Sequence, residues 1–180
     1  MTPARILVVA PEPGEPLDTV PVVRVLHKAG LFEVVERGLG DAVTGVFDAV
    51  VVTGGAAAEQ PVPRTPLTGL LAAHVRADRR AYTVCSGAFV LAGLGVLRGR
   101  TVAGHSGKAE RLAAAGGCRV YDGLVRDRAL TSAGGRSVGH VKALAVALRI
   151  VADLAPQALA GLLDRLDVAA DRLPPLVVVA

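Results

Sequence analysis

Tryptophan is absent from this chain of 180 residues, which holds only three Phe, two Tyr and one Met. Single-stranded nucleic acids are commonly gripped on aromatic stacking platforms, and so few aromatics argue against that partner. Cysteine is equally scarce. Cys85 and Cys118 stand too far apart for a metal-binding C-x-x-C, and two thiols do not make a disulfide framework. They suit a reducing cytoplasm. No uncharged apolar run reaches the roughly 18 residues that a membrane-spanning helix needs, and the short run after Arg5 is no signal peptide. The expectation is a cytoplasmic protein with no membrane partner. Repeats and linkers are lacking too, so residues 1–180 read as one domain, long enough to bury a sizeable core at 52% apolar composition.

The net charge of +4 comes mainly from scattered arginines. The local cluster Arg76-Ala77-Asp78-Arg79-Arg80 reads as a solvated helix end that complements the helix dipole, and nucleic-acid binding is not expected. Apolar runs of strand length alternate with helical patterns along the chain. Residues 5–10 (RILVVA) form a continuous apolar run bounded by a Pro/Gly-rich loop, as in a strand buried on both faces of a parallel sheet. A helix follows over 17–30, capped by Asp18 or Thr19 and stopped by Gly30. Further strands are predicted over 32–36, 49–53, 81–84, 119–121, 124–126 and 129–132, and helices over 66–75, 86–94, 108–115, 139–154 and 157–168. This order predicts an α/β, flavodoxin-like doubly wound fold. Its sheet is largely parallel with helices on both faces, and its ligand site lies at the carboxyl ends of the strands.

Cys85 falls at such an end, in Ala81-Tyr82-Thr83-Val84-Cys85-Ser86-Gly87-Ala88, where a β-type run meets a small-residue helix start. A nucleophile elbow needs small neighbours so that the backbone can turn sharply and substrate can approach. Nearby helix N–H groups favour a thiolate, so a depressed Cys85 pKa is expected, against the alternative of an inert buried cysteine.

The stretch Val84-Cys85-Ser86-Gly87-Ala88-Phe89-Val90-Leu91-Ala92, followed by Gly95-Val96-Leu97-Arg98-Gly99-Arg100 and then His105, resembles the cysteine elbow of the ThiJ/PfpI superfamily, which has the class I glutamine amidotransferase-like fold. It is most similar to the isonitrile hydratase-like and regulator amidotransferase-like branch. Three other regions agree in order: 10–30, 50–55 and 130–148.

The resemblance implies that Gly55 and Ser86 supply backbone donors to developing negative charge, with Gly54 beside them, and that Asp18 hydrogen-bonds the sulfur as the proton donor. Asp18 reads almost as well as a plain helix N-cap, with Glu12 and Glu15 as substitutes for the acid. His105 matches a histidine found near the family's cysteine, although lone histidines are more often structural. Thr53 replaces a common Pro, Ser106 a common aromatic residue and His140 a common acid, so the role of that acid does not carry over. The turn Ala133-Gly134-Gly135-Arg136-Ser137-Val138-Gly139 lacks the ending of a phosphate loop, and Arg136 reads as a solvated turn residue.

These implications add up to a cysteine-dependent enzyme that needs neither cofactor nor metal and acts on a small-molecule electrophile, an isonitrile hydratase-like hydratase, hydrolase or lyase. The alternatives are glyoxalase III-like conversion of dicarbonyls and a noncatalytic ligand or redox sensor that uses Cys85. A glutamine amidotransferase triad is disfavoured, since no His-x-Glu pair stands late in the chain. A homodimer is expected, because related folds pair and because the apolar segment Leu173-Pro174-Pro175-Leu176-Val177-Val178-Val179 would otherwise be exposed.

Overall fold

The structure, a computed structural model, describes residues 2–179. Its strands are β1 (Ala4–Val9), β2 (Phe32–Arg37), β3 (Ala49–Val52), β4 (Ala81–Val84), β5 (Thr101–Ala103), β6 (Arg119–Tyr121), β7 (Gly123–Asp127), β8 (Leu130–Gly134) and β9 (Leu176–Val179). The helices are α1 (Pro16–Ala29), α2 (Pro66–Arg76), α3 (Ala88–Gly93), α4 (Ala109–Gly116), α5 (Lys142–Leu154) and α6 (Leu159–Leu166). Seven strands form one sheet in the order β2-β1-β3-β4-β8-β7-β9, while β5 and β6 pair in parallel as a separate two-stranded sheet. Every pairing in the large sheet is parallel except the β7–β8 hairpin. This is the predicted doubly wound arrangement.

Burial on both faces explains the continuous apolar strands. Along β1, Ile6 and Val8 pack with Val22 and Leu26 of α1 and Val146 and Ile150 of α5. Leu7 and Val9 point the other way, toward Leu67 and Leu71 of α2, Leu91 of α3 and Leu112 of α4. Strands with this double duty have no solvent face on which to alternate polar residues.

Two expectations are revised by local chemistry. Helix α1 begins at Pro16, and its N-cap is Glu15, whose Oε1 accepts from the Leu17 N–H at 3.1 Å. Neither Asp18 nor Thr19 performs that duty. The apolar segment expected to stand exposed without a partner subunit forms β9, the edge strand beside β7, in which Val178 is the exposed residue.

Candidate active site

Cys85 follows the last residue of β4 and opens a 3₁₀ turn, Cys85–Gly87, that leads into α3. Its φ is +56°, a region that non-glycine residues seldom occupy and that strained strand-to-helix elbows impose on their nucleophile. Gly87 makes the elbow possible, because a Cβ there would stand 2.3 Å from the Val52 carbonyl oxygen of β3. The turn therefore packs directly on the end of the neighbouring strand. Cys85 itself is only 8% exposed.

Asp18 reaches the same place from α1. It lies on the helix face that carries Val22, Val25, Leu26 and Ala29, a carboxyl group in an otherwise apolar stripe. Its burial is complete, and neither carboxyl oxygen has a well-aligned hydrogen-bond donor. Gly54 marks how closely the parts meet: a Cβ on it would lie 2.2 Å from Asp18 Oδ2, 3.1 Å from Ser86 Oγ and 3.2 Å from Cys85 Cβ. Glycine at 54 is what admits the carboxyl beside the thiol. Glu15, whose backbone N–H donates to the Gly54 carbonyl at 3.1 Å, closes the loop over this junction.

Lys142, the first residue of α5, completes the group. Its Nζ lies 3.3 Å from Asp18 Oδ1 and donates to the Gly139 carbonyl at 3.5 Å. The sequence reading missed it. One signal was present, since a lysine in the first turn of a helix opposes the helix dipole and calls for another reason to be there.

Burial pushes the Asp18 carboxyl above its ordinary range, with Lys142 and then Cys85 pulling it back and Glu15 adding to the rise. The Cys85 thiol is also raised, first by burial and then by the Asp18 charge, while Lys142 and the Ser86 backbone N–H oppose the rise. A depressed thiol was expected from the helix start, so this is a correction. The turn after Cys85 is short, and desolvation beside a carboxylate outweighs its backbone donors. Cys118 is buried and raised as well, its Sγ donating to the Leu112 carbonyl at 3.6 Å.

The predicted donors are arranged differently from the simplest picture. The Gly55 N–H donates to Ser86 Oγ at 3.0 Å, and that hydroxyl lies 3.1 Å from the Gly55 carbonyl, to which it donates. Ser86 thus occupies the Gly55 donor with its own side chain, and an oxyanion reaching for that N–H must displace the hydroxyl. Gly55 has φ +144° and lies against Gly14, where a Cβ would meet the Gly14 Cα at 2.6 Å. Thr53 bonds across to Thr19, Oγ1 to Oγ1 at 2.7 Å, fastening α1 to this loop.

His105 is exposed, and its Nδ1 accepts from the Gly107 N–H at 3.1 Å, so the ring caps its own turn. Glu12, Arg136 and His140 are exposed as well. The Gly-rich turn is held by Asp122, whose Oδ1 accepts from the Ser137 N–H and hydroxyl. A recess of about 550 Å³ lies at the far end of β4, lined by Arg79, Arg80, Arg126 and Arg128 with Asp78 and Asp153. Within it Arg126 pairs with Asp153 and Arg128 with Asp78, and the Arg79 guanidinium donates to the Phe47 carbonyl at 2.7 Å.

A doubly wound sheet with a strained cysteine at the end of a central strand, faced by a buried acid from the first helix, defines a class of cysteine-elbow α/β proteins. The model of the DJ-1/PfpI family matches residues 4–148, and the chain belongs to that family. Among solved structures, it is similar to DJ-1beta of Drosophila melanogaster, with 22% identity and a TM-score of 0.76 over 93% of this chain and 100% of that one. The oxidized DJ-1 of Toxoplasma gondii matches at 20% identity and a TM-score of 0.75, over 92% and 99% of the two chains. An AraC family transcriptional regulator from Pseudomonas putida matches at 20% and 0.70, over 91% and 100%. No match is found among curated proteins. Among the described residues, no helix is long and apolar enough to cross a membrane.

Proposed function

We propose that this chain is a cofactor-independent enzyme in which Cys85 adds to a small electrophile and Asp18 manages the proton, with hydration of an isonitrile as the concrete reaction. The observation that carries this reading is the fully buried Asp18 carboxyl, which is free of cap duty and shares with the Cys85 side chain the space that Gly54 leaves open. A buried carboxyl raised above its ordinary range and set beside a thiol can both accept and return a proton.

In the proposed reaction the sulfur bonds to the terminal carbon of R–NC, and the thiol proton, carried by Asp18, ends on that carbon to give R–N=CH–S-enzyme. Water then adds to the same carbon, and a proton moves to nitrogen. The carbon–sulfur bond breaks, giving R–NH–CHO and the free thiol. The Gly55 N–H serves the developing charge once the Ser86 hydroxyl that it bonds at 3.0 Å gives way. His105 has no step here, since its ring is engaged with Gly107. The reading is completed by a homodimer acting as one domain per chain.

Turnover of isonitriles and of dicarbonyls by the wild type and Cys85→Ala tests it. Formamide production that disappears in the variant is expected. Dicarbonyl turnover alone moves the assignment to the glyoxalase-like reaction, and an equally active Cys85→Ala protein overturns the cysteine mechanism.

A further inference from the structure

Helix formation does not account for Lys142. A cation in the first turn of α5 opposes the dipole, and an ammonium withdrawn from water is costly unless it is paired. Its side chain is nevertheless only 18% exposed, with Nζ against Asp18 Oδ1 and the Gly139 carbonyl. The dependence is mutual, because this ammonium is the charge that lies against an otherwise unbonded, fully buried carboxyl. Oδ1 is the oxygen toward Lys142, while Oδ2 is the one beside the Gly54 gap, on the Cys85 side.

We propose that Lys142 is a positioning residue of the Cys85 site, whose ammonium orients Asp18 toward the thiol and fixes at one the negative charges that the buried Asp18–Cys85 pair carries. The inference rests on the reading of Cys85 as the reacting thiol. One ammonium neutralises one anion, and a second anion in the same buried space would have no partner. The pair therefore keeps one proton between its two members, as carboxylate with thiol or as carboxylic acid with thiolate. Moving that proton from sulfur to Asp18 Oδ2 leaves the charge of the site unchanged. The sulfur becomes nucleophilic without any net charge entering a desolvated space. The other ionisable group that acts on the pair is Glu15 of the α1 cap, whose charge raises Asp18. His105 and His140, on the flanking turns, are exposed.

The test is a thiolate titration by ultraviolet absorbance in a Cys118→Ala background, taken as a difference against Cys85→Ala so that tyrosines cancel. Asp18→Asn removes the competing anion and is expected to lower the Cys85 midpoint relative to wild type. Adding Lys142→Met to Asp18→Asn then raises it by about one pH unit or more, leaving about tenfold less thiolate below both midpoints. Adding Lys142→Arg in its place holds the midpoint close to that of Asp18→Asn. Asp18→Asn leaves the Lys142 ammonium without its counter-ion and Lys142→Met relieves it, so the variants differ in stability, and circular dichroism at the titration pH keeps the comparison to the folded state. Superimposable curves for Asp18→Asn with and without Lys142→Met would overturn the proposal. If the midpoints move as stated but Cys85→Ala keeps full turnover, the enzymatic reading fails and the charge-fixing role of Lys142 stands.

Discussion

Gly54→Ala puts the assembly of the site to the strictest test, because it adds one methyl group where the side chains of Asp18, Ser86 and Cys85 meet. That methyl would stand 2.2 Å from Asp18 Oδ2. Non-bonded carbon and oxygen settle nearer about 3.5 Å, so the carboxyl has to retreat by roughly 1 Å. It has nowhere easy to go, being fully buried on a helix packed against α5 and tied to Lys142. Overpacking of this kind costs about 1–3 kcal/mol, and a displacement of about 1 Å at a reacting group costs about 100-fold in rate. The same substitution at Gly69 is the control: that residue lies on the exposed side of α2 with nothing within 4 Å of its added Cβ. Removing glycine from a helix interior there is expected to stabilise by about 0.5–1 kcal/mol. Urea unfolding measures both, and Cys85-dependent turnover measures the rate. A Gly54→Ala protein with wild-type midpoint and turnover would refute the close approach of Asp18 to the elbow.

Asp18→Asn is expected to fold but lose turnover by at least about 100-fold, and to cost more than the roughly 1 kcal/mol of a cap exchange, because it strips Lys142 of its counter-ion; near-native turnover would leave Asp18 a packing residue. His74 is buried and pushed down to about 4 by burial and then by Arg79, with Nε2 facing the Arg80 carbonyl at 3.1 Å. The unfolded chain binds this proton near pH 6.5 and the folded one only near 4, so stability is complete above about pH 6.5 and falls by about 3 kcal/mol as pH drops through that window. His74→Gln should flatten the dependence, and an unchanged acid limb in pH-dependent urea melts would rule His74 out as its source. Light scattering is expected to give the mass of a dimer, because the exposed apolar residues Leu17 and Val20 of α1 and Val141, in the turn just before α5, flank Asp18 and Lys142; a monomer at high concentration contradicts this.

The parallel sheet was legible because strands buried on both faces announce themselves as apolar runs, and Ile6–Val9, Ala49–Val52 and Ala81–Val84 are of that kind. Cys85 was legible from the small residues that follow it. Less visible was β9, whose short run after Pro174-Pro175 acquires its meaning only from pairing with the distant β7. The cap of α1 was misplaced because Glu is an uncommon N-cap while Asp and Thr are common ones, and Glu15 outcompeted both by standing just before Pro16. Lys142 escaped notice because its partner lies on another helix at the far end of the chain, a pairing that α1–α5 packing creates and local pattern does not encode.

The site draws on α1, the loop after β3, the turn after β4 and the start of α5, so its parts come from positions 18, 54, 85 and 142. Each nearest-neighbour contact of the central strands likewise joins distant stretches of chain, which makes folding slow relative to a helical bundle of the same size. Asp18 and Lys142 remain hydrated until α1 and α5 close on one another. Their desolvation is expected to fall late, when that docking is completed over the sheet that carries Cys85. Substitutions at these two positions are then expressed chiefly in the rate at which the native state opens, leaving the rate at which it forms nearly unchanged.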